Sequence, residues 1–145
     1  MYLKYSKIKD VRDPSRAYKY DAGLDLYLPN YGNEYLSPRA GILIATGLKF
    51  EIPVGYMLLI TNKGSVATND ILVGADTIDA TYSGELSVHL FNMSNETKIL
   101  KTGCKLAQAI LIPVVHFDVI NVREEVLYSS TKPMHRGKNG FGSTN

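Results

Sequence analysis

The chain is expected to be all-β, an antiparallel barrel or sandwich followed by a flexible C-terminal arm. Three observations predict this. Apolar and β-branched residues come in short runs, broken by Gly, Pro, Asn and Asp. Only one short piece, Ser65 to Asn69 (SVATN), hints at a helical turn. After about residue 126 the apolar periodicity stops, so residues 1–126 are expected to form the barrel and 127–145 the arm.

The elements follow in chain order. MYLKYSKI alternates in part, as a strand does, and a polar stretch from Asp10 to Lys19 follows it. DAGLDLYLP predicts a strand starting near Leu24 and ended by Pro29, which has no N–H to give a ladder. Gly41 to Phe50 and Tyr56 to Ile60 are two more strands, separated by EIPVG. Glu85 to Asn92 (ELSVHLFN) alternates well. Lys105 to Val122 is the longest apolar stretch. Its Leu106, Ile110 and Leu111 would suit a helix, but Pro113 and the later β-branched residues favour strands. There is no internal repeat and no low-complexity linker.

Composition narrows the function. A chain of 145 residues, 45% of them apolar, suffices for one domain with a buried core. The net charge of +2 argues neither for nor against a polyanionic partner, but no block of basic residues occurs, which argues against a long nucleic-acid duplex as ligand. The single cysteine, Cys104, excludes an internal disulfide and points to a reducing compartment. It is expected to be a small buried apolar residue rather than a reactive thiol. No run approaches the roughly 18 apolar residues of a membrane helix, and MYLKYSKIKD lacks a signal-peptide layout. The expectation is a soluble intracellular protein.

The last ten residues, RGKNGFGSTN, carry the parts needed to wrap a nucleotide. Arg136 has a planar fork for phosphate oxygens. Gly137, Gly140 and Gly142 let backbone N–H groups approach a polyanion. Phe141 offers a flat face to a base, and Ser143 and Thr144 add hydroxyls. Four internal segments are weaker, each with a plain structural alternative. In GADTIDATYSGEL, Asp79 could act as a general base on water and Tyr82 could pack on a sugar or base within a hairpin; otherwise Asp79 caps a turn and Tyr82 is a surface ring. In DAGLDLY, Asp21 and Asp25 could hold a hydrated ion or orient a basic group, or merely begin a strand. In NKGSVATN, the Lys63 ammonium, the amides from Gly64 to Val66 and the Ser65 hydroxyl could bind phosphate, although the P-loop spacing is absent; the alternative is a short polar loop. In GCKLAQAIL, Gln108 must be satisfied if buried, by a ligand phosphate or by the protein itself. His89, His116 and His135 show no metal-ligand spacing with Cys104, and nothing local marks a nucleophile.

Taken in order, DAGLDLY, NKGSVA, TIDATYSGEL, GCKLAQ and RGKNGFGSTN resemble the five motifs of the trimeric dUTPase family, over Asp21 to Asn145. TGLKFEIPVGY, between the first two, also resembles that family. The resemblance implies a jelly-roll-like subunit, a homotrimer whose active sites take residues from more than one chain, and a terminal arm that closes over bound nucleotide. It implies hydrolysis of dUTP to dUMP and pyrophosphate, with Mg²⁺ on the triphosphate and no direct protein ligand to the metal. Such a reaction limits uracil in DNA and supplies dUMP for dTMP synthesis. No stable nucleic-acid or membrane partner is implied.

Residue by residue, Asp79 resembles the catalytic aspartate that activates water toward the α-phosphorus. Tyr82 resembles the ring beneath the deoxyribose, and the hairpin from about Gly74 to Tyr82 the reader of uracil. Lys63, Gly64, Ser65 and Gln108 resemble phosphate-contacting positions, and Asp25 the aspartate that supports the site through a neighbouring basic residue. Arg136, Gly142, Ser143 and Thr144 resemble the γ-phosphate grip, and Phe141 the ring stacked on uracil. Three departures stand out. Lys63, Gly64 and Ser65 stand where the family has Arg-Ser followed by Ser or Gly. A third-motif glycine is replaced near Asp76, with the preceding segment about one residue shorter, and Cys104 stands where an acidic residue is common. Two rival readings are a dCTP deaminase of the same fold and a nucleotide-binding module without turnover. The first expects a glutamate where His89 stands and lacks the arm; the intact Asp79 and arm argue against the second.

Overall fold

The structure, a computed structural model, describes residues 1–128 and Gly140. The chain divides into two units, Met1–Val115 and His116–Asn145. The strands of the first unit, in chain order, are β1 (Lys4–Lys7), β2 (Leu24–Tyr27), β3 (Glu34–Leu36), β4 (Gly41–Ala45), β5 (Leu48–Glu51), β6 (Tyr56–Thr61), β7 (Ile71–Val73), β8 (Thr77–Ile78), β9 (Ser87–Asn92), β10 (Lys98–Leu100) and β11 (Lys105–Pro113). One helical turn, α1 (Gly64–Ala67), lies between β6 and β7. The second unit holds α2 (Glu124–Leu127), whose Glu124 and Glu125 suit the positive end of the helix dipole.

Every strand pairing is antiparallel. One sheet runs β2-β11-β6-β8, a second β4-β9-β7, and β1-β5 and β10-β3 are two-stranded. Together they form a jelly-roll-like body around one core of Leu26, Leu28, Leu36, Ile44, Leu48, Leu58, Ile60, Leu86, Val88, Leu90 and Leu106, among others. Strand alternation builds it. Val88, Leu90 and Asn92 of β9 point inward, while Ser87, His89 and Phe91 face the other way. Each fully buried aliphatic side chain contributes about 1.5–3 kcal/mol. Asn92 is buried because its amide is satisfied: Nδ2 donates to Leu36 O at 3.0 Å and Glu96 O at 2.7 Å, and Oδ1 accepts from Ser94.

The expected strand from Gly41 to Phe50 is two strands, β4 and β5. Gly47 breaks it with φ +74°, and the fully buried Thr46 closes the β4 ladder by donating both its amide, at 2.9 Å, and its hydroxyl, at 2.8 Å, to Leu86 O. The long apolar stretch after Lys105 is strand only as far as Pro113. Val114 N adds one bond to Gly55 O at 2.8 Å, and residues 116–123 form no strand among the described residues. The short strands β3, β7, β8 and β10 carry too few residues for alternation to show in sequence. No helix among the described residues is long and apolar enough to cross a membrane.

Candidate functional site

Asp25 is the organising residue at one end of the β2-β11-β6-β8 sheet. It sits on β2 opposite Gln108 of β11, which in turn lies opposite Thr61 of β6. Asp25 is 2% exposed, yet it is a charged group. Lys105 Nζ reaches its Oδ2 at 2.7 Å. Lys63 Nζ stands 2.9 Å from Oδ1, a charge contact rather than an aligned hydrogen bond. Burial pushes the Asp25 carboxyl up, but the Lys105 and Lys63 ammonium groups outweigh it and hold it below the usual carboxylate range. Two lysines around one carboxylate leave a net positive charge.

A bulge in β11 makes this possible. The register with β2 shifts between Lys105 and Ala107, so Leu106 is an extra residue and points into the core. Lys105 is thereby placed within reach of the Asp25 carboxylate. Sequence reading did not single out Lys105, because strict alternation would put it on the same face as the buried Ala107 and Ala109. The only local signal was its position three residues before Gln108.

Gln108 anchors the neighbouring loop. Its Nε2 donates to Asn62 O at 2.9 Å, and Asn62 Oδ1 accepts from Val73 N at 2.8 Å. The loop is thus tied on both sides just before Lys63. Lys63 is extended and immediately precedes α1, where Gly64 and Ser65 occupy the first turn and are exposed. First-turn N–H groups have no intrahelical acceptor. Ser65 borders a cavity of about 690 Å³ shared with Lys98, Lys101, Cys104 and Lys105. Cys104 is half-buried, and burial pushes its thiol above the usual value.

Asp79 and Tyr82 form a second cluster. Asp79 follows β8 directly and is exposed, and its backbone carbonyl accepts Tyr82 N at 3.1 Å. With Thr77, Ile78 and Ser87 the two residues line a cavity of about 260 Å³. The flanking strands β7 and β9 do pair, Ile71 opposite Asn92. The expected hairpin from Gly74 to Tyr82 is different in detail: β8 pairs with β6, Leu58 opposite Ile78. Asp76 O also accepts Ile60 N at 2.6 Å, so this segment is bound to the four-stranded sheet rather than to β7.

The two clusters do not meet within one chain. Asp79 lies level with Met57 on β6, whereas Asp25 and Gln108 lie level with Thr61. Four residues along a strand and three strand spacings across the sheet place the two backbone positions about 20 Å apart. Arg136, Phe141, Gly142, Ser143 and Thr144 lie outside the described residues. His89 packs edge-on against Phe91 at 4.5 Å, a sheet residue. Among the described residues no group of three or more His, Cys, Asp or Glu side chains could hold a metal ion.

The dUTPase family model matches residues 9–145. The deoxyuridine 5'-triphosphate nucleotidohydrolases of a Picosynechococcus species and of Nautilia profundicola are each 37% identical to the chain over 148 residues, covering 99% of both partners. Among solved structures, the Staphylococcus bacteriophage 80alpha dUTPase with dUPNHPP superposes with a TM-score of 0.86 at 25% identity, covering 99% of this chain and 98% of that one. A mutant dUTPase from phage phi11 of S. aureus, described with a structural Mg(II) ion, superposes at 0.77 with 24% identity over 87% of this chain and 99% of that one. Fold and relatives thus define a nucleotide hydrolase built on antiparallel sheets. The chain belongs to the dUTPase family and is a dUTP diphosphatase.

Proposed function

We propose that this chain hydrolyses dUTP to dUMP and pyrophosphate in sites shared between the subunits of a homotrimer. One observation carries the shared-site reading: the Asp79–Tyr82 cavity and the Asp25 cation cluster stand at different levels of the same sheet. A single nucleotide touching both must draw them from different chains. In this reading Asp79 takes a proton from water as the water oxygen bonds to the α-phosphorus. The bond from that phosphorus to the bridging oxygen breaks, and pyrophosphate leaves. General-base assistance is worth about 10²–10⁴ in rate.

Tyr82 underlies the deoxyribose, and the backbone of residues 74–82 reads uracil. A cytosine amino group would leave buried polar groups unpaired there, the stronger form of rejection. Lys63, Gly64, Ser65 and Gln108 face the phosphates, with Asp25 fixing Lys63. Arg136, Gly142, Ser143, Thr144 and Phe141 belong to residues 127–145, the arm that covers the bound nucleotide. The donor set fits a metal carried by the substrate: Asp25 is committed to two lysines, and the described residues offer no carboxylate cage. A Mg²⁺ carried on the triphosphate would neutralise oxygen charge and polarise the phosphorus while Lys63, Gly64, Ser65 and Gln108 hold the phosphates. Such an activity limits uracil in DNA and feeds dTMP synthesis inside the cell.

The test is pyrophosphate release from dUTP, dCTP, dTTP and UTP in parallel, with and without EDTA. Release from dUTP alone, lost on chelation, is the expected result. Equal release from dCTP or UTP would overturn the readings of the base and sugar sites.

A further inference from the structure

Tyr82 is 48% exposed and forms walls of two cavities, about 260 Å³ beside Asp79 and about 470 Å³ beside Lys4, Tyr5 and Phe50. A ring between two spaces needs something to stop it swinging. Its hydroxyl donates to Glu85 O at 2.8 Å, which folds the ring back over Gly84. The acceptor is itself held. Gly47 N donates to Glu85 Oε1 at 2.8 Å, and Lys9 Nζ pairs with the same oxygen at 2.7 Å. The next residue is also tied: Leu86 N donates to Leu48 O at 2.8 Å, and Leu86 O accepts both the amide and the hydroxyl of Thr46. The carbonyl that fixes Tyr82 is therefore bolted to the β4–β5 corner of the body.

We propose that Glu85 is a positioning residue for sugar selectivity. Its carbonyl oxygen fixes the Tyr82 hydroxyl, while its carboxylate, gripped by Gly47 and Lys9, keeps that carbonyl in place. The proposal rests on the reading of Tyr82 as the ring beneath the deoxyribose. Lys9 and Glu85 lie 76 positions apart in the chain, yet they meet across one turn of the corner. A ring freed from this anchor can tilt into the larger cavity and make room for a 2′-hydroxyl. The carboxylate stabilises the ring only indirectly, so the effect must vanish when the hydroxyl it serves is removed.

The experiment is a double-mutant cycle. The ratio of kcat/KM for dUTP to that for UTP is measured in the full-length protein and in Glu85→Ala, Lys9→Met, Tyr82→Phe and the two combinations with Tyr82→Phe. Glu85→Ala should lower the ratio by about tenfold, the order of discrimination available from excluding one hydroxyl. Lys9→Met should lower it by less. Neither should lower it further once Tyr82 is Phe. An unchanged ratio, or an equal fall in both backgrounds, overturns the proposal. If Glu85→Ala fails to fold, Lys9→Met and Glu85→Gln carry the same comparison. A second readout is independent of the sugar reading: the ¹⁹F resonance of 3-fluorotyrosine at position 82, assigned by its loss in Tyr82→Phe. It should broaden or shift in Glu85→Ala, and an unaltered resonance overturns the anchor. A wild-type ratio near one, with a responsive resonance, removes the sugar reading and leaves the anchor standing.

Discussion

A carboxylate as buried as Asp25 stays charged only where cations reach it, and here each oxygen has its own lysine. Removing the charge should leave two ammonium groups close together without the anion between them. Asp25→Asn keeps the shape and loses both ion pairs, so a destabilisation of about 1–3 kcal/mol is expected in urea unfolding. The sign with pH follows from the lowered carboxyl. A depressed folded-state pKa contributes stability that is present above the ordinary carboxyl range, about pH 4, and is lost as pH falls through the depressed value. Thermal midpoints recorded downward from pH 5 should therefore fall more steeply for the wild type than for Asp25→Asn. Parallel curves would show that the two lysines do not hold the charge. Asp79 is the opposite kind of residue, exposed and in no ion pair among the described residues. Asp79→Asn should cost about 10²–10⁴ in pyrophosphate release while leaving dUTP binding and the melting temperature nearly unchanged. Calorimetric binding alongside turnover separates these, and undiminished turnover would remove Asp79 as the base.

At the scale of elements, the site depends on where strands are interrupted. The bulge at Leu106 brings Lys105 to the Asp25 carboxylate, and Gly23, just before β2, lets Gln108 lie against the backbone. A Cβ at position 23 would overlap the Gln108 carboxamide. Gly23→Ala should push that side chain off Asn62 O and loosen the loop before Lys63. A loss of about ten- to a hundredfold in kcat/KM is expected from misplacing one binding group, with far-ultraviolet circular dichroism unchanged. Retention of full activity would show that Gln108 does not anchor the loop. The same features explain what sequence could and could not reveal. The strands at Leu24 and Ser87 were legible because apolar and polar residues alternate along them, and the strand at Tyr56 because it is a short apolar run bounded by turn residues. Asp25, Lys63, Asp79, Tyr82 and Gln108 stand out in the sequence only through their resemblance to family motifs in order. Lys105 was not, because a bulge cancels the period-two rule that would have placed it. Lys9 and Glu85 were not, because nothing local to either signals a partner so far along the chain. The break at Gly47 was hidden by apolar residues on both sides, and the end at Pro113 by β-branched residues that continue without a sheet partner among those described.

At the scale of the whole molecule, the sheet register makes a quantitative demand. The Asp79 end of β8 and the cation cluster on β2 and β11 are about 20 Å apart in one chain by strand register, too far for one phosphorus atom to touch both. Sites composed between chains predict complementation. Asp79→Asn and Asp25→Asn subunits, each expected to lose most turnover alone, are unfolded, mixed in equal amounts and refolded. In random trimers a site drawing Asp79 from one chain and Asp25 from another is intact in about one case in four. The mixture should therefore regain about a quarter of wild-type turnover. Its activity should fall as either mutant is put in excess, because the product of the two fractions is largest at equality. A site contained within one chain gives no recovery at any ratio, since every subunit carries one lesion. Sedimentation of the same mixtures shows whether trimers formed, so absence of recovery in a trimeric sample would rule out the shared site rather than the assembly.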